Sequence, residues 1–149
     1  MKRLGLVAAG LVFCWAIAHT SAGSGQAGAL LHVANGTLVK TADDPTIYLV
    51  DGGVLRPITA NAFQTLYADF RRVCTVVSIP QHLVQQPLGA GTRLVKAKDH
   101  PGVWLIDNGH TKRHVADIPA FTRWGFTWSR VQVVPAEEID FLPVGSRLE

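Results

Sequence analysis

Two histidines four residues apart, His110 and His114, are the first side chains in this sequence that could do chemistry. On a helix that spacing puts both imidazoles on one face, where they can hold a metal ion. Here they flank a turn and the strand returning from it, and in a strand they would share a face about 13 Å apart, too far for one ion. They read as solvated hairpin residues. No Gly-x-Ser-x-Gly elbow is present, and Cys74 lies in the apolar run VCTVV, where a thiol packs as a small hydrophobe. Asp43-Asp44 and Glu137-Glu138-Asp140 supply carboxylates of the kind that cleave glycosidic bonds. Neighbours in one loop or helix start rarely converge on one bond, and turn and cap roles account for them. Gly23-Ser24-Gly25 lacks the lysine that follows a phosphate-cradling loop. The sequence therefore predicts no catalytic residue, no metal site and no cofactor.

Aromatic and arginine side chains offer binding rather than reaction. Tyr48 and Trp104 occupy matching places in two similar strands, where they alternate with Leu49, Val50, Leu105 and Ile106. If the aliphatic residues fill the core, the rings face outward and can stack on a sugar or a partner side chain. Arg56 and Arg113 follow just across the turns, with planar donors for hydroxyls, carboxylates or carbonyls. The predicted ligand-binding set is thus Tyr48, Arg56, Trp104 and Arg113, against the competing reading in which both rings are buried between strand and helix. Trp124 and Trp128, matched by Leu66 and Phe70, read as packing residues.

These residues are placed by a unit used twice. Leu38-Val39-Lys40 recurs as Leu94-Val95-Lys96, and at the same 56-residue offset Pro45, Leu49, Asp51 and Gly53 recur as Pro101, Leu105, Asp107 and Gly109. One inserted residue brings Arg56 to Arg113, and a second brings Phe63 to Phe121 and Val73 to Val131. The runs TIYLV and GVWLI are β-branched and aromatic, and each enters a turn, Asp51-Gly52-Gly53 or Asp107-Asn108-Gly109, suited to a tight hairpin. The return strands carry Pro57 or several charges, which fits sheet edges. A helix follows each hairpin. Asp117 caps the second, with Pro119 early, Gly125 at its end and Ile118, Phe121 and Trp124 on one face; Thr59 or Asn61 caps the first, with Ala62, Phe63, Leu66 and Tyr67 on its face. A third strand and a short helical turn close each copy. The predicted fold is α+β: two tandem pseudo-equivalent units, each a small antiparallel sheet with a β-hairpin plus one or two short helices.

The chain opens Met1-Lys2-Arg3 before the uncharged run LGLVAAGLVFCWAIA, a basic and then apolar pattern of signal-peptide length, with Ala18, Ala22 and Ala27 as possible cleavage points. That divides the chain into a signal peptide and linker over 1–27, a repeat unit over 28–90 and a second over 91–149, the two units packed as one compact body because residues 86–92 form too short a tether to let them separate. Residues 23–33 are small, polar and glycine-rich at their start and are predicted to be weakly ordered, although the run ALLHV could add an edge strand. Cleavage removes Lys2 and Arg3, so the formal charge falls from +3 to +1, and it leaves Cys74 as the one cysteine of the mature part. So small a charge disfavours nucleic acid as a partner, and once the leader is gone nothing predicts stable membrane insertion.

The stretches TIYLVDGGVLRPI, VWLIDNGHTKRHV, RWGFTWSRVQVVP and FLPVGSRL resemble poorly characterised tandem repeats of bacterial exported and cell-surface proteins. The resemblance covers nearly all of residues 36–149. The first copy departs from the pattern, with YADF in place of the Gly-Phe step and QQPLGAG lengthening its end. The resemblance implies an exported, periplasmic or cell-surface protein with a non-enzymatic binding or accessory role, recognising a cell-wall glycan or an envelope protein. A small exported hydrolase or hydrolase inhibitor is the alternative.

Overall fold

The computed structural model of the chain describes residues 33–149. The predicted leader and linker, the weak order over 23–33 and the added edge strand at 29–33 fall outside the described residues, Val33 excepted. The N-terminal half runs β1 (Leu38–Thr41), β2 (Ile47–Asp51), β3 (Val54–Ile58), α1 (Ala60–Leu66) and β4 (Val73–Val76), then a 3-10 turn at Gln81–Leu83. The C-terminal half runs β5 (Arg93–Ala97), β6 (Val103–Asp107), β7 (Thr111–His114), α2 (Ile118–Arg123), a 3-10 turn at Trp128–Arg130, β8 (Gln132–Val134) and α3 (Ala136–Asp140). The fold is α+β, with two four-stranded sheets and short helices. Among the described residues no helix is long and apolar enough to cross a membrane.

Both hairpins form where the turn residues allow the left-handed backbone: φ is 62° and 83° at Gly52 and Gly53, and 52° and 76° at Asn108 and Gly109. The strand orders are β3-β2-β1-β4 and β7-β6-β5-β8. The expectation of purely antiparallel sheets is corrected here, because β4 pairs parallel with β1 and β8 parallel with β5. The reason is connectivity: β3 leaves the sheet through α1, and a helical crossover delivers the next strand in the same sense as β1. β3 and β7 are edge strands of their sheets, as expected, and each is met by a further segment of chain. The segment after β4 makes parallel bridges to β3 at Leu55↔Val84 and Ile58↔Leu88, and the C-terminal tail does the same to β7 at Lys112↔Val144 and Val115↔Leu148.

Each sheet buries both faces. The inner faces, carrying Leu38 and Leu49 in one sheet and Leu94, Val103 and Leu105 in the other, join Phe63, Leu66, Phe121 and Trp124 of the helical segments in one core cluster. On the outer face of the first sheet Val39, Tyr48, Val50 and Leu55 pack beneath Ile79, Leu83 and Val84. On that of the second, Val95, Trp104 and Ile106 pack beneath Ile139 and Leu142. Helix capping follows the sequence: Thr59 accepts from the Ala62 amide and Asp117 from the Ala120 amide at 2.7 Å. Ile118 departs from its predicted inward face and is exposed, while Ala120, Phe121 and Trp124 are buried. The halves touch closely. A Cβ on Gly36 would lie 2.7 Å from the Trp124 Cα, so only glycine admits this approach of the β1 entry to the end of α2.

Candidate functional site

The structure separates the four predicted binding residues into two pairs. Cross-strand partners share a face of a sheet, and the register pairs Leu49 with Arg56 and Tyr48 with Pro57, then Leu105 with Arg113 and Trp104 with His114. Both arginines therefore lie on the inner faces and both rings on the outer ones, so the four do not form a single surface. Tyr48 is buried in the outer cluster of its sheet. Trp104 is half-buried against the cluster beneath α3, with its ring centroid 4.8 Å from that of His114. The Lys112 ammonium stands 5.3 Å from the Trp104 ring centroid and donates to the carbonyls of Ile139 and Asp140 at 3.0 and 3.3 Å, closing the end of α3. Both rings lie on outer faces of their sheets, and those faces are covered because the chain after each last strand folds back over them.

Arg56 and Arg113 meet instead in a closed quartet with Asp51 and Asp107. Asp51 follows Leu49 by two residues and Asp107 follows Leu105 by two, so both carboxylates stand on the inner faces at the hairpin turns. Arg56 reaches across to Asp107 of the other sheet with Nη1 and Nη2 at 2.5 and 2.8 Å. Arg113 reaches back to Asp51 with the same two nitrogens at 2.5 and 2.9 Å. The third donor of each fork is also used: Arg56 Nε donates to the Gln86 carbonyl at 3.0 Å and Arg113 Nε to that of Ser146 at 2.9 Å. Burial would raise the Asp51 carboxyl, but the hydrogen bonds and charge of Arg113, with the charge of Arg56, outweigh it and hold Asp51 below the ordinary carboxylate value. Burial likewise opposes the charge on Arg56, and Asp107 and Asp51 outweigh it and raise that guanidinium. With its pKa held down, Asp51 has no proton to donate near neutral pH. The quartet is a joint between the two sheets.

An exposed aromatic surface lies beside α2. Trp128, read from sequence as packing, is 54% exposed and stacks on the buried Phe121 ring with centroids 3.9 Å apart and planes 17° from parallel. Its segment is fixed from behind, since the Thr127 amide donates to the Leu66 carbonyl and the Arg130 amide to that of Thr127. Trp128 and Phe121 form one wall of a groove of about 290 Å³ completed by Pro101, Gly102, His114, Asp117 and Ile118. Asp117 Oδ1 is occupied by the Ala120 amide, while among the described residues Oδ2 accepts no hydrogen bond. A second, more polar cleft lies between α1 and the segment before β8, with Asn61, Gln64, Ser129, Arg130 and Gln132 in its walls. The signal for Trp128 was present in the repeat. Phe70, its counterpart, also stacks on a helix ring, Phe63, at 4.6 Å and is 66% exposed. Both rings lie among polar neighbours beyond the end of a helix.

No family model matches the chain, and no solved structure matches it. Protein CgeD of Bacillus subtilis (strain 168) is similar, 27% identical over 121 residues, which cover 74% of this chain and 26% of that protein. The chain spans about a quarter of the length of that relative.

Proposed function

We propose that this chain is an exported, non-enzymatic binding module of the cell envelope, made of two copies of one folding unit, and that its contact surface is the groove beside Trp128. The copies are supported by the common strand order and by the reciprocal use of Arg56 and Arg113, each spanning a carboxylate of the other half and a carbonyl of its own. Export is supported by the leader-like pattern of the first 18 residues. The observation that carries the binding reading is Trp128: a large ring exposed to solvent, held rigid by Phe121, at the wall of a groove with polar groups at hand. An ordered aromatic anchor of this kind loses little entropy when a partner covers it. This surface replaces the one expected around Tyr48, Arg56, Trp104 and Arg113, where Tyr48 is buried, Trp104 half-buried and both arginines are engaged.

The test is retention of the chain on isolated envelope fractions. The unaltered protein is retained, the Trp128→Ala variant loses most of that retention while keeping its circular dichroism spectrum, and Phe70→Ala behaves as the unaltered protein. Retention of Trp128→Ala at full strength, or no retention of any form, overturns the proposal.

A further inference from the structure

The groove at Trp128 combines an apolar wall with two polar side chains, and that mixture constrains its occupant. Trp128, Phe121, Pro101 and Ile118 provide ring and aliphatic surface, while His114 and Asp117 bring an imidazole and a carboxylate to the same groove. An apolar side chain of a protein partner would satisfy the first set and strip water from the second, leaving a charged oxygen buried without a partner. A sugar ring satisfies both. Its C–H face lies on the indole, and its hydroxyls donate to a carboxylate and exchange hydrogen bonds with an imidazole. The volume, about 290 Å³, is at the small end of ligand pockets, which run from about 300 to 1,000 Å³. That suits one ring of a longer chain better than a whole helix or strand.

The site is also built before any ligand arrives. Phe121 is buried and fixes the plane of Trp128 from one side, and the Ala120 amide holds Asp117 in place. Gly102 gives His114 room: a Cβ there would stand 3.3 Å from His114 Nε2. The corresponding place in the N-terminal half has a ring, Phe70, but Pro57 and Thr59 where the C-terminal half has His114 and Asp117. Only the C-terminal half joins the exposed ring to an acid and an imidazole.

We infer that the Trp128 groove is a saccharide site in which one pyranose ring of a glycan stacks on Trp128 and hydrogen-bonds Asp117 and His114. This rests on the proposal that the groove is the contact surface. It is tested with the full chain on peptidoglycan sacculi stripped of protein, and with chitotetraose and cellotetraose as soluble probes, following the Trp128 indole N–H by two-dimensional NMR. At least one tetrasaccharide moves that resonance, and the same sugar competes retention on stripped sacculi. Trp128→Ala lowers retention about tenfold, the loss expected of an aromatic anchor. Asp117→Asn, which keeps the helix cap, lowers it about threefold, the loss expected of one hydrogen bond. Should Trp128→Ala fail to fold, Trp128→Phe and His114→Gln carry the same comparison. If untreated envelope retains the chain through Trp128 while stripped sacculi and both sugars do not bind, the occupant is a protein, and the saccharide assignment falls while the binding proposal stands. If retention on untreated envelope is indifferent to Trp128, both fall.

Discussion

The two halves of the molecule carry the same strand order and the same arginine-to-carboxylate reach, but their solvent-facing surfaces differ. In the N-terminal half α1 ends in extended Tyr67, the exposed ring is Phe70, and Pro57 and Thr59 stand at the groove positions. In the C-terminal half α2 ends at Trp124 and Gly125, with φ of 72° at the glycine, the exposed ring just beyond the helix is Trp128, and His114 and Asp117 take those positions. A further pair diverges in the same way. Arg72 donates to the Thr122 carbonyl at the end of α2 at 2.8 Å, whereas Arg130, at the matching place, lines a polar cleft beside α1. The buried arginine–carboxylate contacts across the joint are reciprocal, whereas the contacts nearer the surface, at Arg72, Arg130 and the groove positions, differ between the halves.

Separating the halves breaks the comparison most severely. Residues 28–90 expressed alone lose Asp107, Arg113 and half of the shared core, and are expected to show no cooperative thermal transition by calorimetry. A sharp, monomeric transition would mean that each half holds its own core. Next in size is the quartet. Arg113→Ala leaves Asp51 buried opposite a single distant guanidinium nitrogen, Arg56 Nη1 at 3.5 Å, and is expected to cost about 3 to 5 kcal/mol in a urea titration. Arg56→Ala costs less, because Arg113 is the more buried and also stands 5.8 Å from the Trp124 ring centroid. Removing Asp51 together with Arg113 recovers part of the loss, since no uncompensated charge then stays in the core.

Acid acts on the same joint more gently. The Asp51 carboxyl is held below its ordinary value of 3.8 in the folded state, so its contribution is fully present above that value and is lost as pH falls through the folded pKa. Urea midpoints measured down a pH series are expected to drop below pH 3.8, and Asp51→Asn removes that part of the drop. The smallest effect is at Tyr67, where the halves differ in sequence. Its hydroxyl is buried with no hydrogen-bond partner among the described residues, and burial pushes the phenol above its ordinary range. Tyr67→Phe is expected to leave stability unchanged or raise it by about 1 kcal/mol, by removing a desolvated polar atom from between Phe63 and Phe126. A loss of more than that would place an ordered water on the hydroxyl.

The sequence by itself determined what depends on neighbours along the chain. Alternating β-branched runs ending in Gly-Gly or Asn-Gly dictate the hairpins, and Thr59 and Asp117 dictate where the helices start. The recurrence of Leu-Val-Lys, Asp and Arg at a fixed offset made two similar halves legible, and with them the order of elements. Three things were decided only in three dimensions. The sense of β4 and β8 depends on which way a crossover returns, and local propensity is silent on it. The fate of Tyr48 and Trp104 depended on chain more than 30 residues away folding over the outer faces, which no pattern within the strands records. The partners of Arg56 and Arg113 were equally out of reach. An arginine five or six residues from an aspartate suggests a pair within one hairpin, yet each finds its bidentate partner 51 or 62 residues away. The nearer carboxylates stand at 3.5 and 3.9 Å, and the fork geometry that decides between them exists only once the two inner faces have met.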